Sequence, residues 1–205
     1  MQIDLQNTKI VCISLKKSIE RRNNFKELAE RLNFKNWCFY DGVETGDHIE
    51  GCALSQINVL NDNLNNDPIL ILEDDVCDSQ YYKNIVDVPA DCDAIYFGYS
   101  NWAADPIRAK MSMLDSPASA TKKNNFYQIK NVTSAHAILY ISKKYKEACA
   151  IEAKKYLYEL SGNRHCDVVY AKLQNKFNVY ATPQPYFYQN CPRNKMWTET
   201  SIELP

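Results

Sequence analysis

Ile69-Leu70-Ile71-Leu72-Glu73-Asp74-Asp75-Val76 joins four aliphatic side chains to three consecutive carboxylates. The aliphatic part predicts a strand buried on both faces of a sheet. Its acidic end then falls at the C-terminal edge of that sheet, where open α/β sheets bind ligands. Three adjacent carboxylates repel one another, and a cation relieves the repulsion. Hard oxygen donors suit Mg2+ or Mn2+, with a phosphate completing the coordination shell. A solvated acidic turn after a core strand accounts for the same residues, and the run by itself weighs the two readings evenly.

Composition narrows what such a site could serve. The chain's 205 residues suffice for one good-sized core, and 45% hydrophobic with 24% charged residues is ordinary for a soluble globular protein. With 24 basic and 25 acidic side chains, the net charge of -1 gives no electrostatic case for nucleic acid or an anionic membrane surface. Only 5 glycines are present, and neither GxGxxG nor GxxxxGKS/T occurs. Phosphate must therefore be held by metal, by basic side chains or by helix N-termini. The eight cysteines, Cys12, Cys38, Cys52, Cys77, Cys92, Cys149, Cys166 and Cys191, include no CxxC pair, which argues against a zinc site built on close thiolates. Cys12 and Cys52 lie in apolar patterns and read as small buried hydrophobes. Met1-Gln2-Ile3-Asp4 leads almost directly into a first strand without a signal-peptide pattern, so a cytoplasmic protein with reduced thiols is expected. No apolar run approaches the roughly 18 residues of a transmembrane helix.

The elements that must position the acidic run alternate between strand and helix. Lys9–Leu15 reads as the first buried strand, and Ser18 as the N-cap of a helix whose apolar face is Phe25, Leu28, Ala29 and Leu32. Asn36–Tyr40 reads as a second strand. A second helix is expected from Gly51 to Asn63, stopped by Asp67-Pro68. Asp93–Gly98 is another strand, and the alternation argues for a mainly parallel sheet. Ser100 to Lys130 reads as a long functional loop region with one short hairpin. Ala135–Ile141 is a strand, and Ser142 caps a helix running to Ala148 and on towards Leu160. A break at Ser161-Gly162-Asn163 leads to a helix from Val168 to Gln174 and a strand over Asn178–Ala181. The tail, with Pro183, Pro185, Pro192, Tyr186, Phe187 and Tyr188, reads as extended and packed over the body. No repeat, low-complexity tract or linker is visible.

Several of these segments together resemble glycosyltransferase family 25. Ile10-Val11-Cys12-Ile13-Ser14-Leu15 followed by Arg21-Arg22 resembles the family's opening strand ending in "INL" and a following Arg. Gly51-Cys52-Ala53-Leu54-Ser55 resembles "GCxxSH". Leu72-Glu73-Asp74-Asp75 matches "LEDD", a DxD-type metal motif, and Ser134–Ser142 resembles "GTHGYLIS". Order and rough spacing agree over about residues 9 to 170. Gln56 stands where the family usually has His, and Ser134-Ala135 replaces Gly-Thr before His136. Members act in bacterial lipopolysaccharide assembly, in collagen modification and in some large DNA viruses.

The resemblance implies a GT-A fold, a Rossmann-like αβα sandwich with a mainly parallel central sheet. One domain over residues 1–205 is then expected, with a nucleotide-binding half at about 1–100 and an acceptor-binding half at about 101–205. It implies a nucleotide-sugar donor, UDP-linked, and a divalent cation, Mn2+ or Mg2+. Asp75 is the expected metal ligand, with Glu73 as helper on metal or cofactor. Asp74 belongs to the same cofactor-binding motif, but strand alternation points it the other way, towards a structural role. Arg21 is expected near the pyrophosphate, which a guanidinium suits, whereas Arg22 reads as solvated. Backbone atoms of Ser14 and Leu15 would border the base.

Asp167 is the expected acceptor-activating base, weighed equally against a helix N-cap, and His165 is the neighbouring alternative. His136 reads as a mid-strand, semi-buried residue raised by the resemblance to a cofactor or substrate contact. Trp102 could stack on a sugar or anchor the core.

The expected function is a metal-dependent hexosyltransferase that moves a sugar from a UDP-sugar to a glycan or glycoprotein acceptor. Two alternatives stand beside it. One is a sugar-nucleotide nucleotidyltransferase, against which the glycine-free Lys16-Lys17-Ser18 loop counts. The other is a degenerate domain that only binds a glycan or partner. The chain is short for the family, which leaves room for further domains in a longer protein. The donor sugar, the acceptor and the stereochemical course are not written in the spacing.

Overall fold

The computed structural model describes residues 1–158 and 164–189. In chain order its elements are β1 (Gln2–Asp4), β2 (Lys9–Ser14), α1 (Ile19–Arg31), β3 (Trp37–Asp41), α2 (His48–Asp62), β4 (Ile69–Glu73), β5 (Val76–Asp78), β6 (Ile85–Asp87) and β7 (Ala94–Tyr96). A 3-10 turn (Trp102–Ala104) and α3 (Pro106–Met111) follow. Then come β8 (Ser119–Lys123), β9 (Phe126–Lys130), β10 (Ala137–Tyr140), α4 (Lys143–Tyr158), α5 (Cys166–Leu173), β11 (Val179–Ala181) and β12 (Phe187–Gln189). The expected continuation of α4 to Leu160, the break at 161–163, Pro192 and Cys191 lie outside the described residues.

Eight strands form one sheet in the order β3-β2-β4-β10-β7-β11-β9-β8. The parallel expectation holds for β3-β2-β4 and for β7-β11. Elsewhere the sheet is antiparallel, so it is mixed overall. β10 inserts between β4 and β7 and runs against both. The hairpin β8–β9, anticipated in the middle region, makes the edge opposite β3 antiparallel.

Alternation along β4 places its side chains in both cores, as a doubly covered strand requires. Leu70 and Leu72 pack with Phe25, Leu28 and Ala29 of α1 on one face. Ile69 and Ile71 pack with α2, α4 and α5 residues, among them Ile57, Cys149 and Val169, on the other. The result is a layered αβα body. No helix among the described residues is long and apolar enough to cross a membrane.

Local chemistry sets the helix ends. α1 ends in a Schellman motif: Asn33 takes φ 56°, its N–H reaches Glu30 O at 3.0 Å, and Phe34 N–H reaches Ala29 O at 2.9 Å. Ser18 occupies the N-cap position, yet its side chain makes no capping bond. α2 begins at His48 rather than Gly51, because the Asp47 side chain accepts from Ile49 N–H at 2.9 Å. α3 was missed within the expected loop region. Asp105-Pro106, which looks like loop punctuation, is a capping Asp followed by proline at the first helical position.

One buried cation pins the body together. Lys146 on α4 is fully buried and donates to Asn63 O at 2.8 Å and Asn66 O at 2.7 Å, and it pairs with Asp67. It thereby fastens the loop that launches β4. Lys146→Met strands two carbonyls and a carboxylate, and we expect it to cost about 3 kcal/mol in urea denaturation.

Candidate functional site

The parallel strands β3, β2 and β4 end at one edge of the sheet, and the reversed β10 begins there. Ser14 pairs with Asp41 and Ile13 with Glu73 in the ladders, and Glu73 N–H donates to His136 O at 2.9 Å. The first turns of α2 and α5 line the same edge. Two adjoining hollows result. The smaller, about 400 Å³, is bordered by Ser14, Leu15, Arg21, Gly42, Gln56 and the acidic run. The larger, about 850 Å³, is bordered by Trp102, Ser134, His136, His165 and Asp167. His48, Cys52 and Glu73 belong to both walls, so Glu73 stands between them.

The Gly51–Ser55 segment shapes the floor of the smaller hollow. Ser55 Oγ accepts from Val43 N–H at 2.8 Å and donates to Gly51 O at 2.6 Å. A Cβ at Gly51 would sit 2.7 Å from Val43 O, so only glycine lets the β3–α2 connection lie this close.

The three acids of the run part company at a turn. β4 stops at Glu73, and Asp74-Asp75 turn the chain into β5. Both oxygens of Asp74 are taken by the protein: Oδ2 accepts from Ser14 Oγ at 2.7 Å and Oδ1 from Arg21 Nη1 at 3.1 Å. Asp74 therefore ties β4 to β2 and α1, and Arg21 reaches the hollow's rim as its partner. Arg22 is not solvated as expected. It donates to Ser14 O at 3.0 Å and Asp41 Oδ1 at 2.6 Å, with its guanidinium 4.7 Å from the Phe39 ring centre.

Glu73 accepts from Gln56 Nε2 and Gln189 Nε2, each at 3.3 Å. Burial pushes its carboxyl well above the ordinary range, and negative charge on Cys52, Asp75 and Asp167 pushes further. Asp75 is raised by burial too, against the pull of Arg21. Its Oδ1 is buried with no hydrogen-bond partner, as is Gln56 Oε1. Both residues border the smaller hollow. A crowded carboxylate pair with an unpartnered oxygen fits a hard divalent ion, held by Asp75 and Glu73. No three His, Cys, Asp or Glu side chains among the described residues gather closely enough to hold a metal alone. Such an ion would draw its remaining ligands from phosphate and water, the usual habit of Mg2+.

Asp167 lies in the first turn of α5, with His165 in the cap position making no side-chain capping bond. Burial raises Asp167, and the charge of His165 partly offsets that.

His136 sits one residue before β10 rather than within it, buried against the larger hollow. Burial lowers its pKa to about 4, so the ring is neutral. Nε2–H points to Phe187 O at 3.4 Å, which leaves Nδ1 to accept from Ser134 Oγ at 2.5 Å. Ser134 holds φ 145°, a glycine-favouring conformation, at the position where the resembled motif carries Gly. A Cβ on Gly98 would lie 1.9 Å from His136 Nε2. Gly98→Ala must expel the imidazole, and we expect a loss of about 1–3 kcal/mol in thermal unfolding.

Trp102 borders the larger hollow with the Arg108 guanidinium 4.5 Å from its ring centre. His48 and Gln189 join the site without having been singled out, and Gln56, noted only as the replacement for the family's His, joins it as a partner of Glu73. His48 was findable, because it directly follows the capping Asp47. Gln189 comes from β12, which pairs with β5, and nothing local marks it. Cys52 is exposed in the hollow rather than buried as expected, whereas Cys12 is buried.

A carboxyl raised by folding favours the folded state fully below its ordinary pKa and forfeits that advantage as pH rises through the raised value. Glu73, Asp75 and Asp167 are all raised. These three carboxyls therefore contribute less stability to the metal-free protein as pH climbs above about 4, a decline that His136, whose pKa is lowered, opposes up to its ordinary value. Glu73→Gln should flatten that decline, read as Tm between pH 5 and pH 8.

No family model matches the chain, and no curated protein matches it. Among solved structures it is similar to the nucleoside-diphosphate-sugar pyrophosphorylase from Vibrio cholerae. The two are 13% identical, the match covers 94% of this chain and 80% of that one, and the TM-score is 0.49. A likeness of that size says nothing of what this chain turns over.

Proposed function

We propose that the chain is a metal-dependent glycosyltransferase of the family 25 type with a GT-A fold, moving a sugar from a UDP-type donor to a glycan or glycoprotein acceptor. The observation that carries the reading is the pair of hollows divided by Glu73, with the unpartnered Asp75 oxygen on one side and Asp167 on the other. The single eight-stranded sheet supports the continuous central sheet that the resemblance implies.

In this reading the smaller hollow takes the nucleotide diphosphate. Ser14 and Leu15 border the base, and Arg21, steadied by Asp74, faces the diphosphate. Asp75 and Glu73 would hold a divalent cation, which would supply positive charge against that developing on the leaving diphosphate. Gln56 and Gln189 keep Glu73 oriented between the hollows. In the larger hollow Asp167 accepts the proton of the acceptor hydroxyl. Its raised pKa makes it a stronger base, and His165 helps keep it ionised. Neutral His136 cannot compete for that proton and instead shapes the wall.

Nucleotidyl transfer to a sugar phosphate receives less support. No Lys or Arg borders the larger hollow among the described residues, so a second phosphate would meet carboxylates, histidines and neutral polar groups there but no fixed positive charge.

Calorimetric titration with UDP, UDP-glucose and UDP-galactose, with and without Mn2+, tests the proposal. Mn2+-dependent binding is expected, and no binding under any condition would overturn it. Pyrophosphate release from a nucleoside triphosphate plus a sugar phosphate would put nucleotidyl transfer in its place.

A further inference from the structure

We propose that Cys52 and Cys166 form a reactive dithiol in the wall of the larger hollow, which low-molecular-weight disulfides convert to an intramolecular disulfide. Cys52 comes from α2 and is exposed, whereas Cys166 opens α5 and is buried. Both border the larger hollow, and each thiol is close enough to the other to perturb its ionisation. Among the described residues no other cysteine borders either hollow: Cys12, Cys92 and Cys149 are buried elsewhere, Cys38 lies on β3 and Cys77 on β5.

The two exposures assign unequal roles. Cys52 loses its proton to solvent and attacks one sulfur of the incoming disulfide. The disulfide bond breaks, and the departing thiolate takes up a proton. Cys166 then gives its proton to solvent and attacks the Cys52 sulfur, expelling the second small thiol. One small disulfide and two protein thiols become one protein disulfide and two small thiols, with no electrons unaccounted for.

The new bond would tie α2 to α5 beside Glu73 and Asp167. On the proposed function, with which this consequence stands or falls, the oxidised protein transfers no sugar. The bond itself does not depend on that reading.

The full chain, metal-free and reduced, is treated with bis(2-hydroxyethyl) disulfide or oxidised glutathione, alkylated and digested for mass spectrometry. A Cys52–Cys166 linked peptide is expected with either reagent. Cys166→Ser should stop at a mixed disulfide on Cys52. Alkylation of both residues, or a link from Cys52 to any other cysteine, would overturn the proposal. The wild-type readout does not depend on any variant folding. Nucleotide titration of the reduced chain separately reports whether the transferase reading fails.

Discussion

Asp75→Asn is expected to abolish Mn2+-dependent nucleotide binding and to slow transfer at least about a thousandfold, equivalent to about 4 kcal/mol of lost transition-state stabilisation. The same substitution should raise the Tm of the metal-free protein. Asp75 has a buried oxygen with no partner and lies in the field of Asp74 and Glu73. Removing its charge relieves repulsion in the folded state, so the fold gains what the site loses. Isothermal titration with UDP and Mn2+, paired with thermal melts without metal, reads both effects. If transfer and metal-dependent binding survive, the acidic run is a structural turn. If both fall and Tm falls as well, the effect is unfolding rather than loss of a ligand.

Asp167→Asn should lower kcat by about a hundredfold to ten-thousandfold, the usual worth of a positioned general base, and leave nucleotide binding intact. Asp167 borders the larger hollow and not the smaller one, which is why the two substitutions should separate. The asparagine keeps the shape, and its side-chain oxygen can still accept from Val168 N–H as Asp167 Oδ1 does at 2.9 Å. Steady-state kinetics alongside UDP titration checks this. A variant with full kcat would move acceptor activation to another group. One that fails to bind nucleotide would show that the two hollows are a single site.

The local elements were largely legible. Four aliphatic residues ending in acids can be little else than a buried strand meeting an edge, and β4 is buried on both faces as its composition requires. The Phe25, Leu28, Ala29 spacing likewise fixes which face of α1 meets the sheet. Where the reading missed, the signal was ambiguous at short range. Asp105-Pro106 punctuates a loop or starts a helix with equal local sense. The direction of β10 left no local trace either. A run such as Ala137–Tyr140 has the same pattern whether it pairs parallel or antiparallel, and only the path of the preceding chain decides.

The sequence by itself determined that three carboxylates sit at the end of a core strand and that a Gly51–Ser55 helix and the His136 segment accompany them. It could do so because strand and helix periodicity are properties of neighbouring residues. The division of labour among those carboxylates was decided by the tertiary structure alone. Asp74 is occupied because Ser14, 60 residues away, and Arg21, 53 residues away, reach it. Glu73 is held by Gln189, 116 residues further along the chain. Asp75 keeps one buried oxygen, Oδ1, without a partner, although Gln189 from the far end of the chain also reaches its carboxylate. A carboxylate's role depends on what else reaches its oxygens, and in this fold those groups come from strands and helices that only the closed sheet brings together.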